Sequence, residues 1–217
     1  MIALQNIAKK LGNKIVLESI SFDLYSNEIV GLIGPNGSGK TTLLNLIMGL
    51  LSPDSGTISH NGSIGAAVSR KGFFEGMTVI DNLKVFAQLK GQDYSEIKRV
   101  LDLFAIEYAN SRFDKLSAGM KQRVALAQAF MGNHKLILLD EPTNHLDIDS
   151  IFILRSAIEA RKQQGTAFIL TSHVLTELEK LCNRVLFLIN GKVRKEISSS
   201  EAEFTRLEAE YLKLSAR

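Results

Sequence analysis

The chain has 217 residues, 45% hydrophobic and 23% charged, with 26 basic against 23 acidic side chains for a formal net charge of +3. This length and apolar content suit one domain with a substantial core, the single cysteine, Cys182, excludes an internal disulfide, and the scattered charge gives no argument for a nucleic-acid partner. No apolar run approaches the roughly 18 residues of a membrane span, and the N-terminal stretch "MIALQNIAKK" has no charged leader followed by a long apolar run, so any membrane role is expected to pass through another chain.

From the N-terminus to about residue 30 apolar and polar residues alternate, as at Ile15, Leu17, Ile20, Phe22 and Leu24, with Gly12-Asn13 as a turn. This predicts antiparallel strands. The run Ile29 to Ile33 is uniformly apolar, which is the pattern of a strand buried on both faces. Directly behind it stands "GPNGSGKTT", comprising Gly34, Pro35, Asn36, Gly37, Ser38, Gly39, Lys40, Thr41 and Thr42, followed by the helical pattern "LLNLIMGLL". Glycines let the main chain curl and turn successive N–H groups inward around an anion. Gly-x-x-x-x-Gly-Lys-Thr between a strand and a helix reads as a phosphate-binding loop. Its amides and the helix N-terminus face the phosphates, Lys40 adds a point charge, and the Thr41 hydroxyl suits Mg²⁺, which prefers oxygen and keeps several waters.

Next, "GTISHNGSIGAAV" predicts a second hairpin turning at Asn61-Gly62, with His60 a solvated turn residue. From about 75 to 134 helical periodicity dominates, and the stretch reads as a helical lobe inserted into the sheet domain. Thr78 is expected to cap a helix closing at Gly91, and Ile97, Val100, Leu101 and Phe104 share one face of another. "LSAGM", Leu116 to Met120, opens a helix whose small residues leave amides bare. Read from its residues, it is either a second anion site or an ordinary serine-capped helix.

Three more apolar runs, Leu136 to Leu139, Ala167 to Leu170 and Val185 to Ile189, alternate with helical patterns and predict an α/β domain with a mainly parallel sheet. The first ends in Asp140 and Glu141. Their carboxylates emerge at the C-terminal edge, where open parallel sheets hold ligands. Asp140 is expected to hold Mg²⁺ through its hydration shell and Glu141 to polarise an attacking water; the plainer alternative is a pair of carboxylates capping a helix through Pro142. His173 follows the second run in "FILTSH", within reach of a γ-phosphate, although a lone histidine is commonly structural. His134 and His145 read as structural, and no metal-ligand spacing links the four histidines. Cys182, in "LEKLCNRVLFLI", reads as a buried thiol suited to a reducing compartment. In the tail, Ser200-x-x-Glu203 resembles a capping box and Phe204, Leu207, Tyr211 and Leu214 keep helical spacing. The expected division is therefore a core from 1–74 and 135–195, a helical lobe over 75–134, and a C-terminal helix over 198–217.

Taken in order, "GPNGSGKTT", "LSAGMKQR", "LILLDEP", "NHLD" (Asn144 to Asp147) and "TSH" resemble the ATP-binding cassette (ABC) ATPase family over residues 1–195. The resemblance implies a P-loop NTPase fold with an antiparallel β lobe and an inserted helical lobe. It implies Mg-ATP hydrolysis, and a head-to-tail dimer in which Ser117 and Gly119 of one copy close over ATP held by the phosphate loop of the other, with Asp147 near the interface. With one cassette per chain, the partner is a second copy or a related ATPase subunit. In this family such a subunit works on the cytoplasmic face of the cell membrane beneath a separate transmembrane permease. "GMKQR", "GFF" and "MTVIDNL" are similar to ATPases of bacterial drug and peptide exporters. Some positions depart from the family pattern: Ser69 stands where a glutamine is usual, Leu11 where an aromatic stacks on adenine, and Ala118 and Met120 replace glycine and glutamine. Ser69 and the missing aromatic keep a weakly hydrolysing regulatory module open as an alternative, and a soluble ABC clamp that acts without a membrane partner is the other. Phe73, Phe74 and Met77 read equally as a docking groove for the permease or as lobe core.

Overall fold

The computed structural model describes residues 2–68, 72–172, 175–200 and 206–215. Strands β1 (Ile2–Leu11) and β2 (Lys14–Leu24) pair antiparallel. They reverse at Gly12, whose φ of 58° is left-handed backbone that glycine adopts without steric cost. β3 (Ile29–Ile33) is buried at every position and leads through the glycine loop into α1 (Lys40–Ile47).

The predicted second hairpin does not form. The chain does turn at Asn61-Gly62, with Gly62 at φ 107°, but its arms join different sheets. β4 (Ser55–His60) pairs antiparallel with β1, whereas β5 (Ile64–Ala67) runs parallel to β6 (Leu136–Asp140). The composition of β5 explains the parting. A side chain on Gly65 would run into the Ala129 carbonyl, so this small-residue strand fits beneath a helix and not beside an exposed partner strand.

Three helices follow β5: α2 (Val79–Leu89), α3 (Ser95–Leu103) and α4 (Ala118–Ala129). Thr78 caps α2 by accepting from the Asp81 N–H at 3.2 Å. α4 buries Gln122 and every residue from Val124 to Ala129, so it has no solvent stripe over its last two turns. After β6 come α5 (Ile148–Gln163), β7 (Ala167–Thr171), α6 (Leu175–Leu181) and β8 (Arg184–Ile189). β9 (Lys192–Ser198) returns antiparallel on β8, and α7 (Leu207–Ser215) closes the described chain. β9 carries too many polar residues to stand out in the sequence. Glu203 of the expected capping box and Phe204 of the expected helical face lie outside the described residues.

The main sheet has the order β5-β6-β7-β3-β8-β9, parallel except for β9. Period-two alternation splits its core between two faces. Ile29, Ile33, Ile137, Leu139, Phe168 and Leu170 pack with the inserted helices. Val30, Leu32, Leu136, Leu138 and Ile169 pack with α1 and the antiparallel sheet. The inserted helices thus share one continuous core with the strands that end in the site. Among the described residues no helix is long and apolar enough to cross a membrane.

Candidate active site

β3 delivers the chain into a loop that only glycine can build. A side chain on Gly34 would strike the Leu188 carbonyl, and one on Gly39, at φ 107°, would lie 2.6 Å from Leu17 Cδ2. The loop then enters α1 with no side chain capping the helix, so the amides of the first turn are left to a ligand. Ser38 Oγ is buried with no hydrogen-bond partner. Lys40 is 8% exposed, and its Nζ donates to the carbonyls of Gly34 at 2.7 Å and Pro35 at 3.2 Å. Burial pulls the Lys40 ammonium below the ordinary lysine value, while Glu141 and Asp140 act in the opposite sense. The loop borders a cleft of about 390 Å³ whose lining includes Asn36, Gly37, Thr41 and Thr42, with Leu11, Lys14 and Val16 on its other wall. An orphaned hydroxyl, an uncapped helix start and a buried ammonium resting on carbonyls fit a polyphosphate.

The carboxylates meet this loop directly. Thr41 Oγ1 donates to Asp140 Oδ2 at 2.8 Å, which places two hard oxygens side by side at the cleft. Such a pair suits Mg²⁺, which takes one or two protein oxygens plus waters and phosphate. Among the described residues no cluster of three His, Cys, Asp or Glu side chains forms an all-protein cage. Glu141 borders the same cleft and holds φ at 49°, a left-handed conformation unusual for a glutamate. Its N–H donates to Thr171 Oγ1 at 2.9 Å, and its carbonyl accepts from the Asn144 N–H at 3.2 Å. No helix begins at Pro142. The next one is α5, where Asp147 accepts from the Ser150 N–H at 2.8 Å, so Asp140 and Glu141 cap nothing.

The structure does not bring every predicted site residue into this cleft. Ser117 caps α4 by accepting from the Met120 N–H at 3.2 Å. With Gly119 and Asp147 it lines a separate cavity of about 150 Å³ that contains no residue of the phosphate loop. A side chain on Gly119 would meet the His145 carbonyl, so the start of α4 sits tight against the turn that follows Glu141. His173 and Ser69 lie outside the described residues. His134 is buried, with Nδ1 3.0 Å from Ser63 Oγ. Cys182 is buried beside Gly31, and burial raises its thiol pKa. Phe73, half-buried, packs against the core by stacking on Phe113 with ring centroids 4.6 Å apart, whereas Phe74 is 52% exposed.

Two residues without an assigned role in the sequence stand next to the carboxylates. Thr171 donates to Asp140 Oδ1 at 2.5 Å, and Gln122, buried on α4, donates through Nε2 to the Pro142 carbonyl at 3.0 Å. The available signal was polar residues in apolar surroundings, namely a threonine closing an apolar strand and a glutamine in a buried helix.

The ABC transporter family model matches residues 17–144. The chain belongs to the ABC transporter family. It is an ABC ATPase, an ATP-binding subunit with the P-loop cassette fold. It is 37% identical over 196 residues to an uncharacterized ABC transporter ATP-binding protein of Methanocaldococcus jannaschii, covering 88% of this chain and 75% of that one. It is 33% identical over 213 residues to the lantibiotic transport ATP-binding protein SrtF of Streptococcus pyogenes, covering 93% of each. In fold it is similar to a dimeric ATP-binding cassette solved in a post-hydrolysis state with ADP and Pi, at TM-score 0.86 and 24% identity over 93% of this chain and all of that one.

Proposed function

We propose that this ABC ATPase drives a separate membrane permease, in the direction of export, as a head-to-tail dimer that encloses two Mg-ATP. The observation that carries the proposal is the division of the site into two halves. Lys40, Thr41, Asp140 and Glu141 border one cleft, whereas Ser117 and Gly119 line another, with Ser117 exposed. A polyphosphate seated on the first half leaves the start of α4 in the second, where Ser117 caps only the Met120 N–H, without a ligand of its own. A second copy, turned by a two-fold axis, brings its Ser117 and Gly119 over that polyphosphate and offers its own loop in return.

Within the closed site the amides of residues 37–42 and Lys40 hold the β- and γ-phosphates. Thr41, and Asp140 through the hydration shell, would hold Mg²⁺, which would neutralise phosphate charge when bound. The Glu141 carboxylate accepts a proton from the attacking water as it closes on the γ-phosphorus, and His173 donates to the γ-phosphate. Asp147, beside Ser117, links one site to the other across the dimer. Cleavage divides the phosphates that joined the two halves, and the dimer opens. Export is supported by Nod factor export ATP-binding proteins that are 32–35% identical to this chain, and a transport role by the lantibiotic transport relative. The permease places the subunit on the cytoplasmic face of the membrane, and copurification in detergent with a multi-span protein tests that part.

The dimer is tested by Glu141→Gln, which preserves the shape of the site and removes the base. The variant is expected to elute as a stable dimer with Mg-ATP and as a monomer without it. A monomer at saturating Mg-ATP would count decisively against the shared site.

A further inference from the structure

We propose that Thr171 is a positioning residue for ATP hydrolysis, whose single hydroxyl orients both Asp140 and Glu141. The inference rests on the roles given above to those two carboxylates. Thr171 is the last residue of β7, fully buried, and in register with Asp140 on one side and Leu32 on the other. Its Oγ1 lies 2.5 Å from Asp140 Oδ1 and 2.9 Å from the Glu141 nitrogen.

A threonine hydroxyl has one proton and two lone pairs. The Glu141 amide can only donate, so the hydroxyl accepts there and directs its own proton to Asp140. The Asp140 carboxylate is then held at both ends, with Oδ1 on Thr171 and Oδ2 on Thr41 at 2.8 Å. Its plane is fixed toward the cleft. The same hydroxyl holds the backbone of Glu141, whose φ of 49° is a strained conformation that persists only where its surroundings enforce it. Without that hydrogen bond the backbone loses the restraint at its nitrogen, and the Cα–Cβ bond that aims the carboxylate turns as it relaxes. A misplacement of about 1 Å at a reacting group costs roughly a hundredfold in rate. β-branching restricts the threonine χ1, so the hydroxyl is aimed by its own residue.

Thr171→Val keeps the shape and removes the hydroxyl. Its kcat for ATP is expected to fall about 10- to 100-fold while KM stays within about threefold, because the glycine loop and Lys40, which carry most of the phosphate contacts, are untouched. Thr171→Ser should stay within about threefold of native kcat. In the nucleotide-free chain, hydrogen exchange at the Glu141 amide should accelerate in the valine variant and not in the serine variant. A purely structural role predicts the reverse order, since valine fills the buried site better than serine. If the valine variant does not fold, the pair Thr171→Ser and Thr171→Ala isolates the hydroxyl, and serine should be at least about tenfold faster. Valine at native rate, or serine as slow as alanine, overturns the proposal. Glu141→Gln hydrolysing ATP at native rate removes the reading of the carboxylates beneath it; a native-rate Thr171→Val beside an inactive Glu141→Gln removes only the hydroxyl's role.

Discussion

His134 illustrates what burial does to one titratable group. Desolvation lowers its pKa from 6.5 to about 4, with the nearby positive charge of Lys90 acting in the same direction. The unfolded chain therefore binds the proton more readily than the folded one between those values. The stabilisation is complete above about pH 6.5 and is lost as pH falls toward 4. A shift of that size corresponds to about 3 kcal/mol. Denaturant unfolding at pH 7 and pH 4.5 should show the native chain losing most of this, and His134→Gln losing distinctly less; parallel losses would remove histidine as the cause. At this scale the sequence was legible wherever chemistry needs a rare combination. Three glycines, a lysine and a threonine behind an apolar strand point to a phosphate loop and "DE" at a strand end to its carboxylates, and the fold sets these residues around one cleft. It was silent on Thr171 and Gln122, because a hydroxyl or an amide acquires its role only from the atoms that the fold brings within 3 Å.

Elements were legible in proportion to how strongly burial constrained them. β3, β6, β7 and β8 are apolar at nearly every position because helices and strands cover both faces, and each was found within a residue of its ends. β9 escaped because it alternates with lysine and arginine on the sheet edge. The hairpin at Asn61-Gly62 was misread because a turn specifies a reversal of the chain and not which strands then pair. α4 shows how one element joins both halves of the proposed site. It starts at Ser117, crowds the His145 carbonyl through Gly119, and reaches the residue after Glu141 through Gln122. Gly119→Ala would push the helix away from that turn, at a cost of roughly 1–3 kcal/mol of unfolding free energy as for other overpacked sites. Gly76→Ala is the control, since a side chain there meets nothing within 4 Å. Equal thermal stability of the two variants would mean that the turn simply yields.

For the whole molecule, the decisive question is whether each active site is built from one chain or two. If Lys40 and Ser117 of the same chain serve the same nucleotide, then mixing Lys40→Ala protein with Ser117→Arg protein produces nothing that either lacks. If they serve different nucleotides, the outcome changes. A head-to-tail heterodimer of these variants concentrates both lesions in one site and leaves the other with an intact Lys40 from one chain and an intact Ser117 from its partner. Neither homodimer has such a site. With random pairing half of the dimers are mixed and each has one sound site of two, so ATPase activity should recover to about a quarter of native on mixing. The doubly substituted chain gives a complementary check. Mixed equally with native protein it spoils both sites of every heterodimer, and the native activity should fall to about half. Mixtures that remain as inactive as their parents, together with a double variant that leaves native activity unchanged, would mean that one chain completes its own site and that the exposed start of α4 serves some other contact.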